Sequence, residues 1–427
     1  MVIIVGAGLA GLACATRLEA EGRDWLLLEA EAKPGGRVAT ETTSEGYRLD
    51  AGFQVLLDSY PTARRLLDFG TLEPRYFESG ALLADTELGW ERLINPLSDF
   101  QRNFSWALPA LASKAFSWRE KITLSIYAVA QILTSDKALL SKEAGISTLE
   151  ELQRLGLDGA ILDRFLRPFF SGVFLDAELG TDASVFRYDL KKFALGRALL
   201  PAGGMGKIPE QLASRLPSHR QRYGATVTRL SREADRLTAV ELLGGERVGF
   251  DTLVLATDEV TTRQLLGLPQ ALDSGDDWLE VTTLYFTGEE PLYAGALLVL
   301  PRFRSDRNHL VAHFADLTNI APEYAPPGKR LLSATVLNES SCEISDLAHT
   351  VQAEISTLLP SFSRWEFLKE VRIRRALPSR KPGFSKRLLP LRLSDNLFLA
   401  GDQISPVGIE SALASGLRTA EELLIRA

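Results

Sequence analysis

The chain has 427 residues, is 45% hydrophobic and 24% charged, and carries a net charge of −7. That length suits two domains, and the acidic balance supplies no basic face for nucleic acid. Two cysteines, Cys14 and Cys342, rule out a disulfide framework.

In chain order, Val2-Ile-Ile-Val5 predicts a buried strand, and Gly6-Ala-Gly8-Leu9-Ala10-Gly11 a tight turn into a helix. The helix is expected to run through Leu18 to about Glu21 and to stop at Gly22. Trp25-Leu-Leu-Leu28 predicts a second parallel strand ended by Glu29. These elements form a βαβ dinucleotide-binding unit. Gly6 allows the turn, Gly8 lets a pyrophosphate approach the backbone, and Gly11 lets the helix pack on the sheet. The helix N-terminus, with Leu9 and Ala10, points its N–H groups at phosphate. Glu29, followed by Ala30, suits the adenosine ribose hydroxyls and repels a 2′-phosphate.

Further along, Pro61–Phe69 is expected to be a short helix capped by Ser59. Residues 108–135, 149–156 and 158–170 show helical patterns, with breaks at Gly156 and Pro168. The apolar, aromatic segment from Asn103 to Leu133 has two readings: peripheral membrane contact, or the preferred one, a helical pair buried in the substrate domain. Residues 281–286, 296–300, 309–314 and 330–336 predict strands, and 345–359 a helix starting at Ser345 or Asp346. His309 and His313 alternate onto one strand face without further ligand-like residues, so they read as strand or surface histidines and no metal site is expected. The basic run from Arg372 to Arg387 reads as solvated or as a phosphate neighbour, with a carboxylate-binding or membrane-facing role as further alternatives. Near the end, a strand from Leu397 to Ala400 leads through Gly401-Asp402 and Gly408 into a helix from Ile409 to about Arg426.

The segment Glu31-Ala-Lys-Pro-Gly35-Gly36-Arg37 resembles the GGR box of the flavin amine oxidase superfamily, which includes monoamine oxidases, protoporphyrinogen oxidases and carotenoid desaturases. Five more segments are similar in the same order. Leu49-Asp-Ala-Gly52-Phe53-Gln54 looks like the strand and turn beside the flavin ring. Pro201–Pro209 looks like the glycine turn opening a helix, and Tyr223–Thr228, with Val227, like the strand that meets adenine. Leu253–Thr257, with Ala256, looks like the strand returning beneath the cofactor, and Asn396–Asp402 like the terminal FAD box.

The resemblance implies noncovalent FAD, with Gly35 and Gly36 at the diphosphate, Arg37 on phosphate, Asp402 at the ribityl chain and Ile409 at the pyrimidine edge. It also implies an α/β fold: a Rossmann-type FAD-binding domain from residues 1–58, 199–265 and 376–427, with a discontinuous α+β substrate domain from 59–198 and 266–375. The expected activity is dehydrogenation or desaturation of a hydrophobic small molecule by hydride transfer to flavin N5. Residues 385–400 hold only Phe398 as an aromatic, and 401–416 hold none, which departs from the aromatic cage of amine oxidases. Amine or amino-acid oxidation is therefore the alternative. Redox-neutral isomerisation and a flavin-free binding protein like the Rab GDP-dissociation inhibitors follow behind it. No catalytic side chain is assigned. With a strand at Val2 and no apolar run of ~18 residues, no targeting peptide is expected, and the protein reads as cytoplasmic, with membrane association as a further option.

Overall fold

The computed structural model describes residues 1–94, 115–141, 143–234, 236–269, 278–303, 310–337, 346–406 and 408–426. Val2–Val5 pairs in parallel with Trp25–Leu28 on one side and Thr252–Leu255 on the other. Leu397–Leu399 extends the sheet in parallel, Gln221–Arg222 closes one edge, and Arg392–Ser394 closes the other in antiparallel sense. Ile3, Ile4, Leu27, Leu253 and Val254 are fully buried. A parallel sheet covered on both faces demands such continuous apolar runs. The class is α/β, as expected.

Helices Leu9–Ala20 and Ile409–Arg426 pack together beside this sheet. Their approach depends on Gly416, where an added Cβ would overlap the Ala10 carbonyl oxygen. Glu29 follows the second strand rather than ending it. Strand Leu397–Leu399 stops one residue short of expectation, and of the expected strand Tyr223–Thr228 only Val227 and Thr228 lie in one, Val227–Glu233.

A second sheet has seven strands in the order Glu366–Pro378, Trp278–Gly288, Arg330–Val336, Val311–Asp316, Leu298–Pro301, Gly80–Asp85 and Gly89–Ile94. The last two come from the first substrate segment, 59–198, whose other described elements are mostly helices, and the sequence reading did not anticipate them. Gly80–Asp85 runs parallel to Leu298–Pro301, so the sheet draws on both inserts. Helix Leu347–Leu358 follows the expected 345–359, and Asp346 precedes it without a side-chain cap bond. Ser345, His309 and Cys342 lie outside the described residues.

Helices Trp118–Leu133, Thr148–Arg154, Arg167–Phe174 and Ala183–Leu195 form the helical part of the first insert. Pro168 does not break it. A π-helical turn, Leu162–Leu166, runs into Arg167–Phe174, and Pro168 occupies the first turn of that helix, where a missing N–H costs little. Helix Pro61–Leu66 is shorter than expected, and Ser59 does not cap it, because its hydroxyl donates to the Lys192 carbonyl. Glu410 takes over the role: its carboxylate accepts from the backbone N–H of Thr62 at 2.8 Å and of Ala63 at 3.1 Å. A carboxylate suits the positive end of a helix dipole.

The reading of 103–133 as a buried pair is also corrected where it is described. Trp118, Ile122, Ile126, Val129 and Leu133 line one helical face and are exposed, Ile126 at 67% and Leu133 at 81%, while Glu120 and Gln131 are buried. Glu120 completes a capping box with Ser117 and accepts from the Ile161 N–H, which is why it faces inward. Residues 95–114 lie outside the described set. Among the described residues, no helix is long and apolar enough to cross a membrane.

Candidate functional site

One cavity of about 1200 Å³ opens along the C-terminal ends of strands Val2–Val5 and Thr252–Leu255 and continues beneath the seven-stranded sheet. It exceeds the ~300–1,000 Å³ of ordinary small-molecule pockets, so it has room for a dinucleotide and a second molecule. Its dinucleotide half is walled by Gly6, Gly8, Leu9 and Ala10 from the first turn, Glu29 and Ala30 after the second strand, and Gly35, Gly36 and Arg37. Gly52, Phe53 and Gln54, then Val227 and Ala256, then Gly401, Asp402, Gly408 and Ile409 complete the set. Of the cofactor residues expected from the sequence, Gly11 alone is not on the wall. It is buried behind the turn, where a Cβ would overlap the Gly6 carbonyl oxygen.

Local geometry explains the wall. Gly6 has φ +105, and its N–H bonds to the Leu28 carbonyl, so the turn stays attached to the sheet. Gly35 N–H donates to the Ala7 carbonyl at 3.0 Å, which lays the second glycine pair against the first. A Cβ on Gly8 would meet nothing within 4 Å, because Gly8 faces the open cleft. Glu29 accepts from the Ala7 N–H at 2.5 Å and from the Glu31 N–H at 2.9 Å, and so is fixed at the cleft edge. At the far end, helix Ile409–Arg426 presents its first turn, Ile409 to Ala412, to the cavity.

The charged groups converge on Asp402, whose side chain is 5% exposed. Arg37 donates to its Oδ2 at 2.6 Å and to the Ala376 carbonyl at 3.0 Å. Arg380, from the basic run, is buried, and it donates to the Asp402 carbonyl at 2.5 Å. Burial lowers the Arg380 pKa to about 10. The Oδ1 of Asp402 and the Oε1 of Gln54 are buried acceptors without a hydrogen-bond partner. Both lie on residues of the cavity wall, so they suit the donor hydroxyls of a polyol chain. With the glycine cradle, they fit a dinucleotide cofactor with a polyol segment.

The substrate half is aromatic and aliphatic. Phe165, Phe169, Phe170 and Phe174 enter from the 162–174 helical run, Phe193 from Ala183–Leu195, and Val281, Leu298 and Ile373 from the sheet. Phe169 meets Phe193 edge-on with centroids 4.9 Å apart.

Several wall residues were not anticipated. Asp189 and Tyr188 sit on Ala183–Leu195, near Tyr60 and Glu410. Burial pushes the Asp189 carboxyl up to about 7. His313 also lines the cavity and is buried, so it is not a surface histidine. Only its place on a strand was legible. Cys14 is buried in the first helix, and its thiol is pushed up to about 12, which leaves it unreactive.

A parallel-sheet dinucleotide cradle fused to an apolar chamber defines a cofactor-dependent oxidoreductase. The chain belongs to the flavin-containing amine oxidoreductase family, whose model matches residues 9–424, and it is a flavin-dependent enzyme. It is 29% identical over 374 residues to a phytoene dehydrogenase of Streptomyces griseus, covering 77% of this chain and 71% of that protein. It is 24% identical over 480 residues to a 15-cis-phytoene desaturase of Capsicum annuum, covering 99% and 77%. Its fold matches the crystal structure of an oxidoreductase from Methanosarcina mazei with a TM-score of 0.72 at 16% identity, covering 98% and 99%.

Proposed function

We propose that this protein is a FAD-dependent dehydrogenase or desaturase of a hydrophobic small molecule, with the FAD held noncovalently. The observation that carries the reading is the continuity of the glycine cradle with a chamber walled by Phe165, Phe169, Phe170, Phe174 and Phe193. The names of the phytoene dehydrogenase and desaturase relatives support it. FAD bound there supplies the hydride acceptor. The chain supplies the rest: residues 1–58, 199–265 and 376–427 hold the cofactor, and 59–198 and 266–375 bind and orient the substrate and exclude water.

The exposed apolar face of helix Trp118–Leu133 supports peripheral contact with lipid. The same helix contributes Leu124, Ala128 and Val129 to the cavity wall, so a lipophilic substrate has a short path inward. The low cysteine content supports a reducing cytoplasmic setting. A second reading, oxidation of an amine, draws on Asp189 and Glu410, two carboxyl groups on the cavity wall that suit an ammonium.

The test is anaerobic titration of the purified yellow protein with amines, amino acids, a porphyrinogen and carotenoid precursors, following flavin bleaching. Bleaching only by a lipophilic compound is expected. Bleaching by an amine replaces the first reading with the second. Turnover of a polyene without bleaching identifies redox-neutral isomerisation.

A further inference from the structure

His313 is a buried imidazole with nothing to bind. It stands on strand Val311–Asp316, is 4% exposed, and lines the cavity. Neither Nδ1 nor Nε2 has a hydrogen-bond partner. Its ring meets Phe53 edge-on, with centroids 4.9 Å apart and planes at 63°. Phe53 belongs to the segment that borders the cofactor cradle, so His313 stands where the two halves of the cavity join. On its other side is helix Arg167–Phe174. A Cβ on Gly172 of that helix would overlap Cε1 and Nδ1 of the imidazole. Glycine inside a helix weakens it, and here the missing side chain makes the space the imidazole occupies.

The sheet register extends the pattern. Thr335 is directly opposite His313, and Thr283 is directly opposite Thr335. Directly opposed residues share one face of a sheet. Thr283 Oγ1 lies 3.9 Å from the position a Cβ on Gly52 would take, so this face is turned to the cofactor segment. The hydroxyls of Thr335 and Thr283 also lack partners. Buried polar groups are nearly always hydrogen-bonded, because leaving one unpaired forfeits its hydration. Three such side chains in a row across adjacent strands form a polar strip that reaches the cavity wall at His313.

The chemistry of the strip selects among ligands. Burial lowers the His313 pKa to about 4, so the ring is neutral at neutral pH. A neutral imidazole offers one N–H donor and one acceptor nitrogen. A hydroxyl donates and accepts and so answers both. An ionised carboxylate only accepts and an ammonium only donates, and each would bring a charge to a site with no counter-charge in the strip.

We propose that His313, backed by Thr335 and Thr283, is a specificity-determining contact for a hydroxyl group on an otherwise apolar substrate. The proposal rests on the reading above that the chamber takes an apolar molecule. It narrows that class from plain hydrocarbons to hydroxyl-bearing ones.

The experiment compares binding of an acyclic polyene hydrocarbon, neurosporene, with binding of its 1-hydroxy derivative, in the same detergent. Dissociation constants are read from the change in flavin absorbance of fully loaded wild type, His313→Leu and His313→Gln. Wild type is expected to prefer the hydroxylated probe by about tenfold or more. His313→Leu should lose that preference by binding the hydroxylated probe more weakly, with the hydrocarbon little changed. His313→Gln, which keeps a donor and an acceptor, should recover part of it. Equal affinity of wild type for both probes overturns the proposal, as does a preference that survives in His313→Leu. The wild-type comparison decides even if the leucine variant fails to fold. If flavin-loaded wild type binds neither probe, the apolar-substrate reading falls and this proposal falls with it.

Discussion

Gly8 and Gly11 lie one turn apart in the same motif, and the structure separates what each does. Alanine at position 11 would place its methyl on the Gly6 carbonyl oxygen, with the Ala256 Cβ 3.3 Å away. Both obstacles directly follow strands of the sheet, so helix Leu9–Ala20 would have to lift from it. Overpacking against backbone sits at the upper end of its usual range, about 3 kcal/mol. The better helix propensity of alanine returns at most about 1 kcal/mol. A net loss of about 2 kcal/mol lowers the melting temperature of a chain this size by a few degrees. Alanine at position 8 is different. Gly8 has φ −71 and ψ 176, open to any residue, and its Cβ would meet nothing within 4 Å. The fold loses only the small N-cap advantage of glycine, under about 1 kcal/mol. The methyl instead enters the cleft where the pyrophosphate approaches, and flavin affinity should fall at least about tenfold, or about 1.4 kcal/mol. The assay is thermal unfolding of flavin-free protein by circular dichroism, beside the flavin-to-protein ratio after gel filtration. Gly11→Ala should melt early. Gly8→Ala should melt with wild type and elute nearly colourless. A fully yellow Gly8→Ala, or a Gly11→Ala as stable as wild type, refutes this division of labour.

Two further predictions concern charge. Arg37→Ala removes the donor that holds Asp402 Oδ2 and leaves a buried carboxylate with less compensation. Because the Arg37 side chain is 40% exposed, the stability loss should stay near 1 kcal/mol, while flavin retention falls clearly. Unchanged retention in equilibrium dialysis would make Arg37 a bystander. Asp189 is pushed up to about 7 by burial, so in the folded protein it keeps its proton where an unfolded aspartate has lost it. Its contribution is complete below the unfolded pKa near 4 and is lost as pH rises toward 7. Asp189→Asn should therefore gain stability relative to wild type between pH 4 and pH 7, measured by urea melts at each pH. A pH-independent difference would show that the carboxyl titrates normally.

The N-terminal unit was legible because its signals are local: an apolar strand, a glycine turn, a helix and an acid within Val2–Glu29. The elements that were misread are set by distant neighbours. Gly80–Asp85 is short and has few β-branched or aromatic residues, and it becomes a strand by pairing with Leu298–Pro301. Ser59 looks like a cap, yet the helix after it takes its cap from Glu410, 348 residues from Thr62. Pro168 looks like a breaker, and the π-helical turn before it moves the proline into a first turn.

Asp50 shows the same dependence at the centre of the molecule. It accepts from Thr40 Oγ1 at 2.5 Å, from the Met205 N–H at 2.9 Å and from the Tyr324 hydroxyl at 2.8 Å, while its carbonyl accepts from Tyr285 at 2.9 Å. One residue thus joins several elements: its side chain reaches Thr40, the glycine turn at 201–206 and the 3-10 turn Pro322–Tyr324, and its carbonyl reaches the seven-stranded sheet. Burial pushes its carboxyl up to about 6, and the three donors pull the other way. Partners 155 and 274 residues away leave no mark on the pattern around Leu49 and Ala51. The turn that carries Gly52, Phe53 and Gln54 is held beside the cleft from both parts of the molecule at once. The position of the candidate site is therefore a property of how the seven-stranded sheet and the glycine turn at 201–206 close on Asp50, whereas the residue types that line it are a property of the local motifs.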